Sequence, residues 1–435
     1  MSKKVLIKCC IASRSGYGEH SRDIVRSFIG NDEYDLHIWP TPWGNTPNTA
    51  LDEVADSFII SKLVYEKPKF IPDIFIQITI PSEFERLGKF NIGITAGIET
   101  TLASHEFVLG CNKMDLILTT SKHSKDVLLA SVYDARDEHG NVKDTIRVVK
   151  PMEVLFEGVN TNIFSKQNDL KSSLSTELNS IPETFCFLHV GQFLQGQLGA
   201  DRKDIGMLVK VFCDVFKKKP PTTRPALILK TSGANFSVTD KNEIQDKLSS
   251  LLEPYGTERP NVYVVHGDLS DNQMNELYNH NKVKAMVSFT HGEGFGRPLL
   301  EFTTTGKPVM ASKWSGQLDF LNEKYSVLLD GKIEQVHPSA TNKWIIKESG
   351  WFQVDYNNAA QKLFDVFSNY NDHLKLSNIQ MNITHNNFTM NKMSSEFLNI
   401  LDDYVNNRKG DSYMPEPLQN KIDIPSQLPK LKRIN

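Results

Sequence analysis

The run Thr290-His291-Gly292-Glu293-Gly294-Phe295-Gly296-Arg297-Pro298-Leu299-Leu300-Glu301, continued by Gly306-Lys307-Pro308-Val309, decides how this chain is read. Just before it, Ala285-Met286-Val287-Ser288-Phe289 is a short apolar run of buried-strand type. Pro298 suits the first turn of a helix, where its fixed φ is helical and its missing N–H is not needed. Gly306 sits where such a helix stops. The unit is strand, glycine loop, short helix, strand. Its loop lies beyond the carboxyl end of a parallel strand, where open α/β sheets bind ligands. Gly294 and Gly296 tolerate unusual dihedrals and leave amide N–H groups bare. The helix start after Arg297 adds partial positive charge suited to a diphosphate. Glu301 has the chemistry to accept hydrogen bonds from vicinal ribose hydroxyls, and Glu293 would sit nearer a transferred group.

Outward from this unit the chain alternates strands and helices, which predicts parallel sheets covered on both faces. Strands are expected over residues 5–10, 34–39, 73–80, 90–95 and 115–119. Helices are expected near 20–29, 50–63, 102–114 and 122–131. Residues 133–147 read as a polar surface excursion. A second series opens at 185–190 and runs through 207–216, 226–230, 262–266 and 270–279, where Ser270 and Gln273 have capping-box spacing. Two Rossmann-like halves follow.

Composition bounds the function. With 435 residues, 39% apolar and 23% charged, the chain is long enough for two soluble domains. A net charge of −3 offers no global attraction for nucleic acid or anionic membrane. No run approaches a transmembrane length. The five cysteines, Cys9, Cys10, Cys111, Cys186 and Cys213, lack metal or disulfide spacing and read as buried thiols of a cytoplasmic protein. A dinucleotide oxidoreductase is disfavoured because Gly16-Tyr17-Gly18 in the first turn does not complete G-x-G-x-x-G.

The stretch 290–309 resembles the donor-site motif of retaining nucleotide-sugar glycosyltransferases of the GT-B fold (glycosyl transferases group 1, family 4-like). There, two glutamates separated by seven residues stand in the context that Glu293, Gly294, Phe295, Gly296, Pro298, Glu301, Gly306, Pro308 and Val309 reproduce here. The resemblance continues through 262–277, 187–210 and 156–164, more weakly through the first half, and covers most of residues 1–400.

It implies an N-terminal Rossmann-like acceptor-side domain (1–155), a linker (156–184) and a donor-binding domain (185–355). Helices over 356–407 would return to the first domain, and 408–435 would be an extended or disordered tail. Glu293 would orient the donor sugar, Glu301 the ribose, and Arg202 with Lys203 the diphosphate. Glu99, with His105 as a rival, would approach the reacting sugar. Gly16 and Gly18 would close over the diphosphate from the first lobe. Lys230 would border the donor pocket, and the backbone near Leu269 would meet the base. Ser121 is read either as part of the site or as a helix cap. One departure stands out: Gly191 is followed by Gln192 where the family often has arginine.

The implied activity is hexosyl or pentosyl transfer from a nucleotide sugar to a hydroxyl, with retention of configuration. No cofactor and no metal are expected, since Asp-x-Asp is absent from the chain. The acceptor (glycan, lipid, protein or modified base) stays open. So do a DNA-modifying glycosyltransferase and a non-catalytic nucleotide-sugar-binding protein.

Overall fold

Strands such as Ile74–Ile78, apolar at four of five positions and buried at all five, can only sit inside a sheet covered on both faces. The computed structural model, described for residues 2–407 except 138, 140, 169–172 and 234, places them so. The first lobe contains β1 (Lys3–Cys9), α1 (Gly16–Arg26), β2 (Tyr34–Pro40), α2 (Ser57–Ser61), β3 (Ile74–Ile78), β4 (Phe90–Thr95) and α3 (His105–Cys111). It continues with β5 (Leu116–Thr119), α4 (Lys122–Ala130), β6 (Tyr133–Arg136), β7 (Val142–Ile146) and β8 (Met152–Val154). Its six-stranded sheet runs β2-β1-β3-β4-β5-β8, parallel throughout.

The second lobe opens with α5 (Ser173–Ser180), β9 (Cys186–Val190), α6 (Ile205–Phe216), β10 (Ala226–Lys230), α7 (Val238–Leu252) and β11 (Val262–Val265). Then come α8 (Asp271–Asn279), β12 (Val283–Ser288), α9 (Arg297–Thr303), β13 (Val309–Ser312) and β14 (Val327–Leu329). The sheet order is β11-β10-β9-β12-β13-β14, again parallel. An antiparallel pair, β15 (Gly331–Gln335) and β16 (Gly350–Val354), precedes α10 (Tyr356–Ser368), α11 (Tyr370–Asn387) and α12 (Met390–Leu401). Two parallel sheets flanked by helices make the GT-B architecture. All five cysteines are free and buried.

Several boundaries differ from the sequence expectation. The helix expected over 50–63 shrinks to α2, preceded by a turn in which the Asp52 carboxylate caps the N–H groups of Val54 and Ala55. Near 102–114 only α3 is helical, and the Ala103 N–H goes instead to Ser131 Oγ at 3.0 Å. The excursion at 133–147 contains the β6–β7 hairpin. The segment 156–184 is more than a linker, since Val159, Phe164, Leu174, Leu178 and Ile181 join the second lobe's core. The return of 356–407 to the first lobe is narrower than expected. Helix α10 packs on α6 and α11 on α9, both in the second lobe, and α12 alone packs on α1. The expected tail lies outside the described residues.

Among the described residues the chain crosses between lobes twice, and the crossings are bonded to each other. Val159 N–H donates to Phe388 O at 2.8 Å and Met390 N–H to Val159 O at 2.9 Å. Gly158 is needed there, since a Cβ would meet the backbone of Met390 and Thr389. Beyond the crossing, Met393, Phe397 and Leu401 of α12 are fully buried among Ile24, Val25 and Phe28. Phe397→Ala should cost about 3–5 kcal/mol in chemical denaturation, as expected for a large core side chain. Phe364→Ala, at a side chain 47% exposed on α10, should stay within about 0.5 kcal/mol.

Candidate active site in the interlobe cleft

Strand order reverses direction at one place in each sheet: between β1 and β3 in the first, and between β9 and β12 in the second. At such switch points adjacent loops diverge and leave a crevice at the carboxyl ends. The loops after β1, β9 and β12 all open into one cleft of about 590 Å³ between the lobes. From the second lobe Arg202, Lys203, Lys230, Leu269, Glu293, Gly294, Phe295, Gly296 and Glu301 line it. Gly16 and Glu99 line it from the first lobe, and Gln192 borders it after β9.

Two expected residues lie elsewhere. Gly18 does not line the cleft; it is glycine because a Cβ would run into the Ser13 carbonyl, where α1 packs on its own leading loop. His105 also lies outside the cleft, with its ring against Tyr133. Ser121 is the N-cap of α4, accepting from the Ser124 N–H. His291, inside the motif, is structural: Nδ1 bonds Phe352 O at 2.8 Å and the ring stacks on Trp351.

Glu293 is the centre of a buried charge cluster. Lys203 Nζ is ion-paired with Glu293 Oε1, and Arg202 Nη1 lies 3.6 Å from Oε2 and 3.5 Å from Glu99 Oε1. The Glu293 N–H donates to Ser315 Oγ at 2.9 Å. Burial by itself would lift the Glu293 carboxyl, but the charges of Lys203 and Arg202 outweigh it and hold the group below its usual range. Burial lowers the Lys203 ammonium, with Glu293 opposing. Two residues beside this cluster hold left-handed backbone despite being non-glycine: Asp204 at φ 52° and Ser315 at φ 71°. Such strain persists where surrounding structure over-determines it. Lys230 Nζ donates to Gly267 O at 2.7 Å, and the neighbouring Thr231 hydroxyl is buried without a partner.

Around Glu301 the charges run the other way. Arg297 Nε donates to Glu301 Oε1 at 3.0 Å, Nη1 donates to Asp23 Oδ2 at 2.7 Å, and Nη1 is 3.6 Å from Glu157 Oε2. Tyr278 OH donates to Glu301 Oε2 at 3.1 Å. One guanidinium thus faces three carboxylates. Burial pushes Glu301 up to about 8 against the pull of Arg297, with Asp271 and Glu19 adding to the rise. Burial pushes Glu157 up to about 7 against the same cation.

The lobes touch along the cleft's rim. Arg14 Nε is 3.0 Å from Asp268 Oδ2, Lys122 N–H donates to Asp319 Oδ2 at 2.8 Å, and Thr101 N–H to Gly350 O at 2.8 Å. Gly292 and Gly294 sit directly against the first lobe: a Cβ on either would enter the carbonyl oxygen of Glu99 or Ala96. Sequence reasoning missed Arg14, Asp23, Glu157, Asp268, Arg297 and Ser315. Only the i,i+4 spacing of Arg297 and Glu301 carried a signal. The others are brought in by the fold.

Residues 198–347 match the family model for glycosyl transferases group 1. The chain has the GT-B fold, and its second lobe carries a segment similar to glycosyl transferases group 1. Among solved structures it is similar to sucrose-phosphate synthase from Thermosynechococcus elongatus, with 12% identity, TM-score 0.62, and 93% of this chain and 100% of that one covered. Anabaena HepE in complex with UDP and glucose gives 12% identity, TM-score 0.60 and coverage of 92% and 100%. A glycosyltransferase from Rickettsia africae gives 15% identity, TM-score 0.58 and coverage of 93% and 99%. No curated protein matches. Among the described residues, no three His, Cys, Asp or Glu side chains group to hold a metal ion, and no helix is long and apolar enough to cross a membrane.

The Glu157 carboxyl sets a pH dependence for stability. Its value rises on folding from 4.5 to about 7, so between those values the folded state keeps a proton that the unfolded chain has released. Stability from this group is therefore full below pH 4.5, falls as pH rises through 7, and is level above. Glu157→Gln should remove that slope. Melting curves from pH 5 to 8 should show the variant gaining on wild type toward pH 8, by on the order of a few degrees.

Proposed function

We propose that this protein is a glycosyltransferase that moves a sugar from a nucleoside-diphosphate sugar to an acceptor hydroxyl with retention of anomeric configuration and without a metal ion. The observation that carries this is the pairing of Glu293 with Lys203 and Arg202 at the β9/β12 switch point, one helical loop away from Glu301. The cations supply charge where a diphosphate would leave, in a buried site where charge is weakly screened. Lys230 and the unpartnered Thr231 hydroxyl extend that surface. Arg14 reaches into the cleft from the first lobe and faces Asp268 of the second.

In the reaction, the bond between the sugar's anomeric carbon and the phosphate oxygen breaks, and its electron pair stays on the diphosphate. The acceptor oxygen bonds to the same face of the anomeric carbon. Its proton passes to the departing phosphate oxygen, so no protein nucleophile is required. Glu293 orients the sugar hydroxyls and Glu301 the ribose. Glu99 fixes Arg202 and faces the transferred sugar. HepE was solved with UDP, which makes uridine the first base to test.

The acceptor is best taken as uncharged. Arg14, Arg202, Lys203 and Arg297 each already face a carboxylate, which leaves Lys230 for added phosphate. This favours a neutral hydroxyl compound over a polyanion such as modified DNA.

Glu301→Ala should raise the donor KM about 10- to 100-fold, as loss of two hydrogen bonds to ribose would. Glu293→Gln should instead lower kcat by about 10²-fold. Steady-state kinetics with UDP-glucose and other nucleotide sugars separate these; wild-type constants in either variant remove that residue's role.

Activity in excess chelator should stay within about twofold of the untreated enzyme, because protein cations meet the leaving charge. A complete loss, restored by a divalent ion, overturns metal independence.

A further inference from the structure

Arg297 is held in an unusual way. It lies on α9, one turn before Glu301, and its Nε fixes Glu301 Oε1 at 3.0 Å while Tyr278 OH fixes Oε2 at 3.1 Å. A carboxylate has about four lone-pair sites, so each oxygen keeps one for a ligand hydroxyl. The same guanidinium reaches out of its own lobe, with Nη1 on Asp23 Oδ2 at 2.7 Å. Asp23 belongs to α1 of the first lobe, is 1% exposed, and does not line the cleft. Arg26, one turn along the same helix, holds its other oxygen at 3.3 Å. Asp23 thus meets the donor site through Arg297.

We propose that Arg297 is a positioning residue that couples recognition of the donor's ribose to closure of the two lobes, with its Asp23 contact as the joint. It can do so only if Glu301 holds the ribose, as proposed above. When the lobes part, the contact between Nη1 and Asp23 is lost, and the fork that orients Glu301 loses its anchor. When they meet, both carboxylates share one rigid planar group, and the Glu301 oxygens are set before ribose arrives. A lysine cannot serve, because a single ammonium does not present the two separated N–H directions that this bridge uses. By linkage, ribose binding must favour closure as much as closure favours ribose binding.

The test measures affinity by calorimetry for uridine, guanosine and adenosine diphosphate, then for the 2′-deoxy form of the tightest. Asp23→Asn should weaken the ribonucleotide about 5- to 10-fold, within the usual range of site coupling. It should also shrink the penalty for deoxyribose, which a purely structural defect would leave unchanged. Arg297→Lys should reproduce both effects, and the double variant should lose no more than the worse single one. Arg26→Gln, which removes Asp23's other partner, should move the melting temperature but not the affinity. If wild type binds none of the three nucleotides, or does not distinguish ribose from deoxyribose, the ribose role of Glu301 fails. If it does distinguish them, while Asp23→Asn keeps wild-type affinity and deoxy penalty, or the double variant's losses simply add, the coupling through Arg297 is overturned.

Discussion

The glycine strip from Gly292 to Gly296 is the constraint on which the rest of the site depends. It is pressed between the lobes so closely that Gly292 and Gly294 have no room for a Cβ beside the Glu99 and Ala96 carbonyls. Gly316 packs against the strip from within its own lobe for the same reason. Gly296, at φ 98°, then turns the chain into α9 in a conformation that side chains rarely adopt. Because the strip is bare, Glu293 can stand at the meeting of two domains with Arg202, Lys203 and Glu99 around it. The glycines therefore do more than leave amides open for a ligand; they permit the two lobes to approach.

Charge is distributed unevenly along the cleft, and this follows from burial. Near Glu293 two cations and two carboxylates balance, so Glu293 stays ionised. Near Glu301 a single Arg297 serves Asp23, Glu157 and Glu301, and the excess acids retain protons into the neutral range. Removing one member of a buried ion pair typically costs about 3–5 kcal/mol. Arg297 is thus both an interlobe fastener and the main counter-charge of a locally acidic floor. Such a floor is suited to hydroxyl groups, whereas the Arg202–Lys203 end is suited to phosphate.

The two backbone crossings at Val159 and Met390 lie side by side and are hydrogen-bonded. With α12 seated in the first lobe's core, a rotation of one lobe must bend both crossings together. The rim contacts, Arg14 with Asp268 and Lys122 with Asp319, join surfaces from opposite lobes. Polar contacts of this kind form and break with less penalty than apolar ones, which fits an interface within a chain that has to open for its ligands.

Local chemistry was legible in the sequence. The period and apolarity of strands such as β3, β9 and β12 stated two parallel sheets, Ser270 with Gln273 stated a helix start, and the spacing of Glu293, the glycines, Pro298 and Glu301 stated a loop-to-helix ligand site. The resemblance carried by that motif pointed to Gly16, Glu99, Arg202, Lys203, Lys230 and Leu269, which all line the cleft with Glu293 and Glu301. Tertiary structure alone decided the partners. Gly18 looked like a phosphate loop glycine and proved to be a packing glycine under Ser13. Residues 50–63 looked helical throughout, yet only Ser57–Ser61 form a helix, after a turn capped by the Asp52 carboxylate. Asp23 and Arg297 are 274 positions apart, and nothing in either segment announces the other. A sequence records what each residue can offer its near neighbours; which distant charge it will meet depends on how the two lobes come to rest against each other.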